Sequence, residues 1–100
     1  MTEANVDYIG SITIDKTLID AVDLWPGELV HVWNIANGQR FETYVLEAPA
    51  GSGVICLNGA AALLAEVGHT VIIAAFGMSD KPIEAKQVLV DQANRITRYL

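Results

Sequence analysis

Short apolar stretches, broken by glycine, proline and asparagine, set the rhythm of this chain. Residues 11–14 alternate small or polar with apolar side chains and predict a short strand. Asp15 is suited to cap a brief helix through Ala21, with Leu18, Ala21 and Val22 on its buried side. Pro26-Gly27 reads as a turn. Residues 29–35 and 40–47 are β-rich, and Asn37-Gly38 between them is a strong hairpin signal, because both residues tolerate positive φ. Residues 49–53 form a loop, and 54–57 predict a buried strand. Asn58 opens an alanine-rich stretch, 59–67, that predicts a helix closed by Gly68. Residues 71–76 predict another buried strand, 79–85 a turn or short helix, and 87–91 with 96–100 a last pair of strands. The sum is a mainly β single domain over residues 1–100, with two or three short helices, best fitted by a small barrel.

Alternation also sorts side chains by face. On the second long strand Arg40, Glu42 and Tyr44 share one side, while Phe41, Thr43 and Val45 share the other. A cation that can grip a carboxylate through two parallel bonds therefore sits on the same face as a phenol.

Composition adds size and sign. With 100 residues, 52% of them hydrophobic and 18% charged, the chain can pack one modest core, and oligomerisation is the expected source of further stability. A net charge of −6 with no basic stretch argues against nucleic acid and anionic membrane surfaces as partners. The single cysteine, Cys56, lies in an apolar run and reads as a small core residue; it offers no metal-ligand spacing. No signal peptide stands out, and no apolar run approaches the roughly 20 residues of a membrane helix, so a soluble cytoplasmic protein is expected. His31 and His69 stand apart and read as structural. No Ser/His/Asp order, P-loop or GxGxxG is present.

Three motifs in order carry the chemistry: Tyr8-Ile9-Gly10-Ser11-Ile12-Thr13-Ile14-Asp15, then Asn37-Gly38-Gln39-Arg40-Phe41-Glu42-Thr43-Tyr44, then Gly51-Ser52-Gly53-Val54-Ile55-Cys56-Leu57-Asn58-Gly59-Ala60-Ala61. Together they resemble the pyruvoyl-dependent aspartate 1-decarboxylase family, from Thr2 to the C-terminus. The resemblance implies a double-psi β-barrel, a homotetramer, and the making of β-alanine and carbon dioxide from L-aspartate for pantothenate synthesis. It implies a precursor that cleaves itself between Gly10 and Ser11, into a short β chain and a longer α chain. Ser11 then becomes a pyruvoyl group, the covalent cofactor, which takes the substrate amine as a Schiff base. Thr43 is implied in self-cleavage, Tyr44 as proton donor, and Arg40 and Asn58 in substrate binding. Asn58 also precedes the expected helix, so a plain N-cap is its other reading, and the two roles can coexist. The backbone amides of Gly59, Ala60 and Ala61 are placed to bind a substrate carboxylate at a helix N-terminus.

Periodicity sets one puzzle. An ideal strand turns Thr43 away from Tyr44, so either the strand twists or bulges, or the cleavage loop comes from the other face. The family pattern also continues upstream, through a first barrel strand that carries a lysine. No cation lies between Met1 and Ser11; Lys81, Lys86 or a neighbouring subunit are the alternatives. A glutamate preference needs only slightly more room, and an accessory maturation protein stays an open partner. A non-catalytic barrel acting as a scaffold is the competing reading.

Overall fold

The computed structural model describes residues 10–100, without the side chains of Ala60 and Ala61. Tyr8 and Ile9 of the first motif therefore lie outside the described residues. The described residues hold seven strands: β1 (Ser11–Asp15), β2 (Leu29–Asn34), β3 (Arg40–Ala48), β4 (Ile55–Leu57), β5 (Val71–Ala74), β6 (Val88–Val90) and β7 (Ile96–Tyr99). One α-helix, α1 (Lys16–Ala21), follows β1, and one 3-10 turn, Gly59–Leu63, follows β4.

Five strands form a mixed sheet in the order β4-β1-β3-β2-β5, and β6 pairs with β7 in a separate ribbon. β1 and β3 run parallel; every other pair is antiparallel. This is the mainly β architecture expected, and its parallel pair between antiparallel neighbours agrees with a small double-psi barrel. The edges of the five-stranded sheet are β4 and β5.

The core is one face of this sheet. Ile12 and Ile14 of β1, Val30 and Val32 of β2, and Phe41 and Val45 of β3 are buried, and Leu18 and Ile19 of α1 close over them. Each such side chain contributes about 1.5–3 kcal/mol by leaving water. Asp15 caps α1 as expected, its carboxylate accepting from the Thr17 N–H at 2.8 Å. The buried side of α1 is Leu18 and Ile19, however, while Ala21 and Val22 are only half-buried. The helix is six residues long and stops before its apolar stripe completes a second turn.

The hairpin signalled by Asn37-Gly38 is present and joins β2 to β3. Its loop spans residues 35–38, closed by Asn34 N–H to the Gln39 carbonyl at 2.8 Å, and only Gly38 takes positive φ. The helix expected over 59–67 shrinks to the 3-10 turn. The following segment is instead tied to the hairpin: Asn34 and Asn37 both donate to the Leu64 carbonyl, and His69 Nδ1 accepts from the Asn34 amide at 2.9 Å and from the Glu66 N–H at 3.1 Å. Residues 79–85 form no helix. Cys56 is exposed, not a core residue. It alternates with Ile55 and Leu57 on an edge strand, and only those two pack against the core.

Candidate active site

The site starts at the first residue of β1. Gly10 has φ +102, in the region that favours glycine, and a β-carbon there would overlap the Asn58 carbonyl oxygen. The chain crosses Asn58 this closely because the Asn58 N–H donates to the Ser11 carbonyl at 2.8 Å, extending the β1–β4 ladder by one bond.

Two side chains then meet the Gly10-Ser11 peptide. The Thr43 hydroxyl donates to the Gly10 carbonyl oxygen at 2.6 Å, in a buried setting. Asn58 Nδ2 donates to Ser11 Oγ at 2.9 Å and to Thr13 Oγ1 at 2.9 Å. Ser11 and Thr43 are 3% and 5% exposed, so neither bond competes freely with water. Asn58 thus spends its side-chain N–H groups on β1, while its Oδ1 receives the Cys56 thiol at 3.6 Å. Its side chain is bonded to β1 rather than to the turn that follows it.

The puzzle of Thr43 and Tyr44 resolves without distortion of β3. The β1–β3 and β2–β3 registers run unbroken through both residues. Thr43 lies on the core face, where the Gly10 carbonyl meets it. Tyr44 lies on the opposite face, directly beside Ser11 in the parallel register. Neighbouring strands are about 4.8 Å apart, so phenol and serine belong to one patch. Of the two alternatives, a bulge in β3 is not the one seen at these residues.

Arg40 is not brought to this point. It is four residues before Tyr44, about 13 Å along an extended strand. Its guanidinium rests over the Trp33 ring at 5.1 Å, a cation–π contact across the β2–β3 pair. Glu42, between Arg40 and Tyr44, faces His31 at 3.8 Å. The expected helix N-terminus at Gly59, Ala60 and Ala61 is a 3-10 turn, so any anion contact there falls to single backbone N–H groups rather than to a helix dipole. Lys86 pairs with Asp23. No cluster of metal-ligating residues occurs among the described residues.

One supporting residue was read from the sequence only as a cap. Asp15, 1% exposed, also accepts from the Gly51 N–H at 2.9 Å and the Gly53 N–H at 2.8 Å. These bonds, led by Gly53, hold its carboxyl below the usual range, against the opposing effect of burial. Asn94 and Arg95 grip the same loop from outside, donating to the Gly53 and Gly51 carbonyls. The loop is therefore fixed just before β4, the strand that delivers Asn58.

A bonded glycine-serine peptide and a phenol in register define a specific arrangement, and comparison with known proteins gives it a family. The aspartate decarboxylase family matches residues 1–97. The chain belongs to the aspartate decarboxylase family. An aspartate 1-decarboxylase of Listeria monocytogenes is 49% identical over all of this chain and 82% of its own length. Those of Carboxydothermus hydrogenoformans and Heliobacterium modesticaldum are 50% and 52% identical, over 98% and 96% of this chain and 80% and 76% of their own lengths. The Gly10-Ser11 motif, Thr43 and Asn58 are joined by hydrogen bonds, whereas Arg40 stands apart on Trp33. Thr13, which shares the Asn58 amide with Ser11, is a participant that sequence reading passed over; its place two residues after Ser11 on one strand face was the available signal.

Proposed function

We propose that this protein cleaves itself at Gly10-Ser11 and then decarboxylates L-aspartate to β-alanine and carbon dioxide, the β-alanine serving pantothenate synthesis. The observation that carries the reading is convergence on one peptide bond: Thr43 on its carbonyl oxygen and Asn58 on the adjacent hydroxyl.

In this reading Ser11 Oγ attacks the Gly10 carbonyl carbon. Negative charge gathers on the oxygen that already accepts from Thr43, and one such donor is worth about 10²–10³ in rate. The C–N bond breaks, the hydroxyl proton passes to the departing nitrogen, and an ester remains. Loss of the Ser11 α-proton expels the Gly10 carboxylate. Hydrolysis of the resulting dehydroalanine consumes one water and releases one ammonia, leaving a ketone.

Gly10, Ser11, Thr43 and Asn58 fit the formation of that pyruvoyl group. Once formed, it supplies an electron sink for the electrons left as carbon dioxide departs. Tyr44 Oη is the proton source for the substrate carbon, on the face that Ser11 borders. Arg40 holds a substrate carboxylate after leaving Trp33, helped by backbone N–H groups at Gly59, Ala60 and Ala61. Aspartate rather than glutamate is the assigned substrate, from the relatives' names. The resemblance supports a cytoplasmic homotetramer; among the described residues no helix is long and apolar enough to cross a membrane.

Intact mass spectrometry tests the first step. Two fragments are expected in place of one 10.8 kDa chain, their summed mass equal to the precursor plus water minus ammonia. Release of carbon dioxide and β-alanine from aspartate, abolished by borohydride reduction of the ketone, tests the second. A chain that stays whole through long incubation overturns the reading.

A further inference from the structure

Asn58 is the only side chain among the described residues that donates to Ser11 Oγ. An amide is a rotor, and it can present either its N–H₂ or its oxygen to a serine. Two neighbours hold it beside Ser11. On one side Nδ2 donates its second hydrogen to Thr13 Oγ1 at 2.9 Å. On the other Oδ1 accepts from the Cys56 thiol at 3.6 Å. Thr13 and Cys56 stand directly opposite each other in the β1–β4 ladder. The single thiol hydrogen is shared with the Leu57 carbonyl, 3.7 Å from Sγ, so the Thr13 hydroxyl is the stronger brace of the two.

We propose that Thr13 is a positioning residue for self-cleavage: its hydroxyl, backed by the Cys56 thiol, fixes the Asn58 amide so that one N–H stays on Ser11 Oγ. Thr13 touches neither the scissile carbonyl nor, by any contact seen, Ser11 itself. It acts through Asn58. The inference rests on the self-cleavage reading for its consequence, but the bracing of the amide is a property of the uncleaved chain.

The geometry sharpens what the bond does. Ser11 Oγ accepts from Asn58, so its own proton is not spent on that amide and is free to leave during attack. The side chain is meanwhile held in one rotamer. Loss of the Thr13 hydroxyl keeps the Asn58–Ser11 distance reachable but lets the amide turn. A neutral hydrogen bond is worth about 0.5–1.5 kcal/mol, which corresponds to roughly two- to tenfold in rate.

The test uses Thr13→Val and Thr13→Ser in the full chain. Valine keeps the branched shape and suits a strand; serine restores the hydroxyl. Fragment appearance followed by intact mass is expected to slow by roughly two- to tenfold in Thr13→Val and to recover in Thr13→Ser. The thermal midpoints of the two variants should agree, which a purely structural role would not give. Equal cleavage by wild type and Thr13→Val overturns the proposal and leaves the self-cleavage reading intact. A second measurement does not depend on cleavage. In Ser11→Ala chains the Asn58 side-chain amide resonances should shift and exchange faster with water when Thr13 is also made valine. Unchanged amide signals overturn the bracing whatever the wild type does.

Discussion

The two faces of β3 are built to different standards. On the core face Phe41 and Val45 are packed, and Thr43 between them already holds the Gly10 carbonyl. On the other face Arg40 and Glu42 are exposed and Tyr44 is 37% exposed, and none of the three touches Ser11 by a hydrogen bond. Self-cleavage is intramolecular: nucleophile, carbonyl and donors come from one chain and can be assembled by folding. Decarboxylation needs a cavity that admits a substrate, and the groups for it wait on an open sheet face. On the proposed function, the difference teaches that a single chain gathers the groups for maturation nearly completely, and those for turnover only in part.

The harshest way to break this contrast is Gly10→Ala. The new β-carbon would collide with backbone, not with a side chain that can move aside, and φ +102 is costly for any residue with a β-carbon. Strain at such a backbone position costs about 1–3 kcal/mol, and the overlap with Asn58 adds to it. Fragment formation should fall below detection, with a lowered thermal midpoint. A variant that cleaves at the wild-type rate would show that the close crossing of Gly10 and Asn58 is dispensable.

A crossed pair on β3 sharpens the comparison. Thr43→Val should slow fragment appearance by about 10²–10³-fold, because the carbonyl oxygen loses its donor. Tyr44→Phe should leave fragment appearance unchanged and lower kcat of the cleaved enzyme by about 10²–10⁴-fold. If both substitutions struck the same step, the two faces would not divide the labour. Arg40→Lys, on the Tyr44 face, should raise KM by about tenfold or less with cleavage untouched, since lysine keeps charge and loses the fork. Intact mass and carbon dioxide release report the two steps separately.

The same two faces explain what could be read from the sequence. Period-two alternation in β1, β2 and β3 placed Thr43 and Tyr44 on opposite sides correctly, and even their apparent conflict was information. The error came where a continuous apolar run was taken for burial on both sides. β4 is an edge strand, so Cys56 faces outward although both its neighbours pack inward. Helix propensity misled in 59–67, because Gly59 enters with positive φ and Leu64 to His69 are drawn to the β2–β3 hairpin by Asn34 and Asn37. Such bonds join residues about thirty positions apart, and local propensity is silent on them. The family was legible through motif resemblance. The bracing of Asn58 by Thr13 and the stacking of Arg40 on Trp33 required the fold.

The smallest effect expected lies below the core face, at Asp15. Its carboxyl is held below the usual range chiefly by the Gly53 N–H, with the Thr17 and Gly51 amides assisting and burial opposing. A carboxyl depressed on folding stabilises the folded state above its unfolded value, about 3.9, and loses that contribution as pH falls through the folded value. Thermal midpoints measured from neutral pH downward should therefore fall in acid. Asp15→Asn should lower the midpoint at neutral pH, because an amide offers one acceptor where two oxygens served three N–H groups. The two curves should approach each other in acid, where the wild-type carboxyl also takes a proton. Parallel curves would show that Asp15 does not set the acid limit. Fragment appearance should slow only modestly in Asp15→Asn, since the loop before β4 stays gripped by Asn94 and Arg95. A large loss of cleavage would instead place Asp15 in the maturation machinery, and would extend that machinery from the first residue of β1 to its last.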